Sequence, residues 1–166
     1  GIEYDAKFVF QTIGYNLEGN ELGASFGLTQ LKKLENNIKI RQSNFKRQTE
    51  FFKRHSKYFI TPHETEFSNT AWLAFPIQLK EDTPFSRKEF QIFLEKRNIQ
   101  TRVVFTGNIN RQPGFVNIKK IVKSEGYPNA DYVMKYGVLL PLHHGLTDAM
   151  FNKLHNAIDL FLEQYN

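Results

Sequence analysis

Apolar residues recur along this chain at two periods, and the two periods divide it into elements. Lys7-Phe8-Val9-Phe10 reads as a short strand or extended arm, broken at Gly14-Tyr15-Asn16-Leu17. Leu22, Ala24, Leu28, Leu31, Leu34 and Ile38 then recur at spacings near three and four, the mark of a helix. Asn20 caps its start, and Glu21 favours the positive end of the helix dipole. Gly23, Ala24 and Gly27 keep part of that face small, so that another backbone can approach. Glu35-Asn36-Asn37 reads as a break. A second helix is predicted from about Asn37 to His55, with Ile38, Phe45, Phe51 and Phe52 turned inward.

Thr61-Pro62 opens a loop that runs through Ser68-Asn69. From Trp72 to Leu79 the period changes to two, with Leu73, Phe75, Ile77 and Leu79 on one face of a strand. Pro76 argues for an edge position or a local irregularity, because proline has no ladder N–H to donate. Ser86 and Glu89 form a capping box, flanked by a Phe85–Phe90 hydrophobic staple. That helix ends near Asn98, a residue tolerant of the left-handed conformation. Thr101–Phe105 is a β-branched run that stops at Thr106-Gly107-Asn108, followed by Arg111, Gln112 and Pro113. Residues 116–129 carry no clear period and close on a turn at Tyr127-Pro128-Asn129. A short helix over Ala130–Tyr136 and a strand at Val138–Leu140 follow. Thr147 caps a closing helix that buries Met150, Phe151, Leu154, Ile158, Phe161 and Leu162. Strands separated by helices and loops, with no internal repeat, indicate an α+β domain with a small sheet packed against helices.

Composition narrows the class. At 166 residues the chain fits one domain, and 40% hydrophobic and 23% charged residues are ordinary for a globular protein. Sixteen phenylalanines make it rich in aromatics. No apolar run reaches the roughly 20 residues of a membrane span, and no secretory signal pattern is present. The absence of cysteine excludes disulfides and thiolate metal sites and fits a reducing, cytoplasmic setting. The net charge of +5 admits nucleic acid or an anionic ligand such as a nucleotide. The basic residues from Lys32 to Arg54 are interrupted by Glu35 and Glu50. They read as a solvated helix face, so no nucleic-acid partner is expected, and a basic nucleic-acid-binding module stands as the further alternative function.

A search for chemistry finds no dinucleotide-binding glycine motif, P-loop or nucleophile elbow. His143 and His144 are adjacent, a poor spacing for two metal ligands on one face, so no metal is expected. Ser43 and Lys46 have a Ser-x-x-Lys spacing but fall inside the basic helix. Two polar clusters remain. Tyr15-Asn16 precedes a helix, where the Asn16 amide is either a phosphate donor or a turn residue. The loop from Phe105 through Gly107, Asn108 and Arg111 offers donors at the end of a strand, as a site or as a plain turn.

These residues also form a recognisable set. Phe8-Val9-Phe10, Gly14-Tyr15-Asn16-Leu17, Glu21-Leu22 and Gly27-Leu28-Thr29-Gln30-Leu31-Lys32-Lys33-Leu34, continued by Arg41 and Asn44, resemble the DegT/DnrJ/EryC1/StrS family of nucleotide-sugar aminotransferases. Trp72-Leu73-Ala74-Phe75-Pro76 is similar to that family's next strand. Thr101-Arg102, Phe105-x-Gly107-Asn108 and Arg111-Gln112-Pro113-x-Phe115 resemble its 4-keto-6-deoxysugar 3-dehydratase branch. Pro128-Asn129-Ala130-Asp131 and Gly145-Leu146-Thr147 complete the pattern, while Leu140–Gly145 is closer to the aminotransferases. Glu18 stands where many relatives carry a basic residue.

The resemblance implies the type I (aspartate aminotransferase-like) fold of pyridoxal phosphate enzymes, with residues 1–166 as the C-terminal small domain. The large domain, with the catalytic Lys (His in the dehydratases) and the acid facing the pyridine nitrogen, is then absent from this chain, and no catalytic residue is expected within it. It implies that Asn16, with Tyr15 beside it, reaches the phosphate of pyridoxal or pyridoxamine 5'-phosphate in the partner subunit of a homodimer. Phe105, Gly107, Asn108 and Arg111 would line the nucleotide-sugar side of the cleft. Arg111 would meet a diphosphate or brace the loop through a carboxylate. The implied reaction removes the C3 hydroxyl of a 4-keto-6-deoxyhexose in lipopolysaccharide or dideoxysugar synthesis. An aminotransferase would instead deliver an amine to the sugar.

Overall fold

The structure is a computed structural model that describes residues 14, 15, 17, 19–115 and 117–165. The expected strand at Lys7–Phe10, Asn16 and Glu18 lie outside the described residues. Two compact units divide the chain, Gly1–Glu35 and Asn36–Asn166.

In the first unit, helix α1 spans Glu21–Leu31 and starts as the sequence predicts: the Asn20 side chain accepts from the Gly23 N–H at 2.7 Å. The break after it falls at Lys32-Lys33, earlier than the Glu35-Asn36-Asn37 predicted. Lys32 and Lys33 donate their N–H groups back to the carbonyls of Leu28 and Gln30 and close the last turn. Glu35 instead occupies the first turn of α2 (Leu34–Lys53), where a carboxylate is favoured by the helix dipole. The apolar positions of α1 are not a core face among the described residues: none of its side chains is buried.

The second unit is built on a four-stranded antiparallel sheet of order β1-β2-β4-β3. Its strands are β1 (Phe59–Ile60), β2 (Ala74–Leu79), β3 (Arg102–Val103) and β4 (Gly137–Pro141), with α3 (Arg87–Glu95), α4 (Pro128–Tyr136) and α5 (Asp148–Leu162) between and after them. The β1 strand carried no period in the sequence, being only two residues long. Pro76 sits on an interior strand, opposite Leu139 of β4. Its other side is nevertheless open, because β1 pairs only with Leu79 and Gln78. The strand begins at Ala74, so Leu73 falls outside the alternation and is 81% exposed.

The richness in phenylalanine resolves into one run of ring contacts. Phe45 and Phe52 of α2 meet Phe75 of β2 at 5.4 and 5.5 Å, and Phe52 meets Phe59 of β1 edge-on at 5.3 Å. Phe59 contacts Phe90 of α3, and Phe90 contacts Phe161 of α5. Edge-to-face and offset pairs of this kind add to simple burial. The capping box and staple of α3 form as predicted: the Glu89 N–H donates to Ser86 Oγ at 3.2 Å, and the Ser86 N–H to Glu89 Oε2 at 2.7 Å. Asn98 takes φ +57 at the end of that helix. Thr147 accepts from the Met150 N–H at the start of α5, but Met150 itself is 51% exposed. Its place in the first turn puts it at the rim of the face that Phe151, Leu154, Ile158, Phe161 and Leu162 bury.

A polar seam runs beside the rings. Arg41 donates to the carbonyl of Trp72 at 3.0 Å, and Asn44 to that of His143 at 3.1 Å. Gln48, fully buried, donates to the Pro141 carbonyl and bonds the His155 ring at 2.9 Å. His155 also stacks on Phe51 at 3.8 Å. Burial, with Arg47 nearby, pushes its pKa down to about 4, so the ring is neutral near pH 7. Among the described residues no helix is long and apolar enough to cross a membrane.

Phe52→Ala should cost about 3–5 kcal/mol in urea unfolding, because it empties the centre of the ring run. Phe67→Ala, at a ring that is 96% exposed, should stay within about 0.5 kcal/mol of wild type. Equal losses in the two variants would contradict this account of the core.

Candidate functional site

Phe105, Gly107, Asn108 and Arg111 are brought together on one loop of the second unit. Tyr15 belongs to the first unit, where its ring is exposed. Asn16, its expected companion, is outside the described residues.

The loop departs from its predicted shape at once. The strand stops at Val103, and Phe105 is not part of it. Phe105 instead takes φ +46, the left-handed region, with its ring 85% exposed. A bulky side chain there costs on the order of 1–3 kcal/mol and persists only where its surroundings enforce it. Two backbone bonds tighten the turn: the Phe105 N–H donates to Val103 at 2.9 Å and the Gly107 N–H to Val104 at 3.0 Å. Gly107 follows with φ +60. A Cβ built on Gly107 would lie 2.5 Å from Cβ of Met134 on α4, so only glycine lets the loop close on that helix.

Side chains complete the closure. Asn108 is buried, and its Nδ2 donates to Asp131 Oδ1 of α4 at 2.7 Å. Its Oδ1 accepts from the Asn110 N–H at 3.1 Å and caps a single 3-10 turn over Ile109–Arg111. Arg111 grips the same carboxylate with two donors, Nε to Oδ1 and Nη2 to Oδ2, the second at 2.6 Å. Gln112 donates to the Thr106 carbonyl at 2.8 Å, across the mouth of the loop. Of the two roles left open for Arg111, the structure gives it the carboxylate brace.

Asp131 therefore holds both Asn108 and Arg111, a role that sequence reasoning missed. The sequence marked it only as part of a motif near a helix start, and no local spacing links it to Arg111, which is separated from it by 20 positions. Helix α4 begins at Pro128, earlier than the predicted Ala130, with proline at its first position. It is itself fixed to the sheet by Tyr132, which donates to the Leu79 carbonyl at 2.9 Å. Gly137 then lets α4 run straight into β4. A Cβ on it would lie 2.6 Å from the Val133 carbonyl oxygen and 2.7 Å from Val104.

Hydrogen bonds from Arg111, then from Asn108, lower the Asp131 carboxyl to about 2. The same carboxylate raises the Arg111 pKa. A hollow of about 120 Å³ lies beside the loop, lined by Arg87, Val103, Phe105 and Met134 among others. That is too small for a nucleotide, which needs roughly 300 Å³ or more. The loop is thus a wall and not a pocket. A larger hollow of about 450 Å³, between β4 and α5, contains none of the predicted site residues. Among the described residues no group of three or more His, Asp or Glu is placed to hold a metal.

The Asp131 carboxylate should titrate near pH 2 in the folded protein when followed by NMR. In Arg111→Gln its midpoint should climb back toward the ordinary 3.8. A carboxylate held low stabilises the fold above its unfolded pKa, and that contribution disappears as pH falls toward 2. An unchanged midpoint in the variant would remove Arg111 as the cause.

The chain as a whole is similar to known proteins. Residues 1–159 match the DegT/DnrJ/EryC1/StrS aminotransferase family. The lipopolysaccharide biosynthesis protein RfbH of Salmonella typhimurium is 35% identical over 144 residues, covering 87% of this chain and 33% of its own. The dTDP-4-dehydro-2,6-dideoxy-D-glucose 3-dehydratase of Saccharopolyspora spinosa is 32% identical over 159 residues, covering 96% and 34%. Among solved structures, the E coli GDP-4-keto-6-deoxy-D-mannose-3-dehydratase with bound hydrated PLP superposes with a TM-score of 0.79 at 26% identity, covering 95% of this chain and 41% of that one. The chain spans about a third of the length of the curated relatives it matches. Its small antiparallel sheet with packed helices is the C-terminal part of the aminotransferase fold of these enzymes. The chain belongs to the DegT/DnrJ/EryC1/StrS aminotransferase family.

Proposed function

We propose that this chain is the C-terminal domain of a cytoplasmic nucleotide-sugar 3-dehydratase that works with pyridoxamine or pyridoxal 5'-phosphate. In this reading the large domain lies upstream, and the active site is shared within a homodimer. The enzyme removes the C3 hydroxyl of a 4-keto-6-deoxyhexose carried on a nucleotide, in lipopolysaccharide or dideoxysugar synthesis. The observation that carries the reading is the braced Phe105–Arg111 loop, a rigid wall with no catalytic group of its own, in a chain whose relatives include 3-dehydratases.

When bound, the cofactor supplies the electron sink that lets the C3 hydroxyl leave. This chain contributes position. Tyr15 and Asn16 are assigned to the phosphate end of the cofactor as neutral donors, and the loop to the nucleotide-sugar side. Neither group transfers a proton in this scheme. Nucleic acid is not among the proposed partners, since the basic residues of α2 are interrupted by acids.

A second reading, nucleotide-sugar aminotransferase, is favoured by Leu140–Gly145. One residue separates the two: a Lys at the Schiff-base position of the upstream domain would sink the dehydratase reading, and a His there would support it.

The test uses the full-length protein with pyridoxamine phosphate and CDP-, GDP- and dTDP-linked 4-keto-6-deoxyhexoses, read by mass spectrometry. The expected product has lost the C3 hydroxyl, whereas replacement of the C4 carbonyl by an amine would establish the aminotransferase. Asn16→Ala should release cofactor more readily on dialysis, and unchanged retention would count against its phosphate role.

A further inference from the structure

Phe105 presents an unusual combination. Its backbone is left-handed at φ +46, its ring is 85% exposed, and no aromatic ring among the described residues packs on it. Burial of the ring therefore does not hold this posture. The loop's base does, through Asp131, the Gly107–Met134 contact and the Gln112–Thr106 bond. None of this bracing uses the ring, which stays exposed to solvent beside a small hollow that it helps to line.

Arg111 points to the same conclusion. Two of its donors are fixed in parallel on one carboxylate, the geometry in which guanidinium binds an anion best. A diphosphate would have to compete with Asp131 for that fork. The Arg111 and Asp131 charges are spent on each other at the loop's base, and Arg87 lines the hollow beside the ring.

Resting on the nucleotide-sugar reading above, we propose that Asp131 is a positioning residue that clamps Asn108 and Arg111 so that the loop presents Phe105 as a stacking platform for the nucleotide's base, with Arg111 committed to the clamp and not to the diphosphate. Aromatic faces stack bases with little regard to base identity. The platform then adds affinity for the nucleoside end of the substrate, while the diphosphate is met elsewhere. Asp131 acts only through the loop it holds.

Calorimetric titration of the full-length protein with GDP, CDP, UDP, dTDP and inorganic pyrophosphate tests this. Phe105→Ala should weaken the best-bound nucleoside diphosphate by about tenfold, the usual scale for loss of one base stack. Pyrophosphate binding should be unchanged, and Phe105→Trp should restore the nucleotide. Because that ring is exposed, neither substitution threatens the fold. Asp131→Asn should weaken the same nucleotide without touching pyrophosphate. In a Phe105→Ala background it should add no further loss, which general loosening of the domain would not reproduce. Unchanged nucleotide affinity in Phe105→Ala would overturn the platform, and weaker pyrophosphate binding in Arg111→Gln would return Arg111 to the diphosphate. If the wild type binds none of the four nucleotides, the nucleotide-sugar reading itself falls.

Discussion

One face of α2 sets the geometry on which the second unit depends. Arg41, Asn44, Phe45 and Gln48 recur three and four apart, so they share one side of the helix. The apolar member packs on Phe75, and the polar members take the carbonyls of Trp72, His143 and Pro141. Trp72 and His143 lie just outside the paired strands β2 and β4, and Pro141 is the last residue of β4, opposite Ala74. A buried carbonyl without a donor costs on the order of 1–3 kcal/mol. The Arg41 guanidinium and the Asn44 and Gln48 amides supply donors to these carbonyls and tie α2 to the ends of β2 and β4.

From β4 the constraint passes to the site. The Gly137 junction couples this strand to α4, and Tyr132 ties α4 to β2. Asp131 and Met134 are three apart on α4 and face the loop together. The loop thus rests on a helix bound twice to the sheet, and its strained tip has a stiff base. The strain at Phe105 persists because the base cannot relax to relieve it.

Local chemistry was legible in the sequence; chemistry between distant positions was not. Asn20, Ser86 with Glu89, Thr147 and the left-handed Asn98 all sit where their short-range bonding rules place them. The strand predicted over Trp72–Leu79 and observed over Ala74–Leu79, and the inward phenylalanines, followed from period alone. Arg41 and Asn44 stood out through family resemblance, and the structure gives them a packing role, holding carbonyls. Phe105 misled because a β-branched run gives no sign that its last member will turn over. Gly107 was visible in the loop, but nothing local to it names Met134 as its neighbour. Arg111 and Asp131 were both visible, yet only the fold brings them together. Pro76 argues for an edge or a local irregularity, and it sits at a local edge within an interior strand because β1 is so short.

The Arg111–Asp131 pair shows why stability is a poor measure of what this loop is for. Its guanidinium is largely exposed, at 63% of the side chain, and exposed ion pairs contribute little to folding. What the pair supplies is orientation. A forked guanidinium on a carboxylate allows one relative arrangement of loop and helix, where a single contact would allow many. Asn108 shares the same oxygen and narrows the arrangement further. Losing the pair therefore frees the loop more than it weakens the domain. The physical signature of this wall is then a shape held at small thermodynamic cost, with the free energy of strain confined to Phe105, the side chain it exposes.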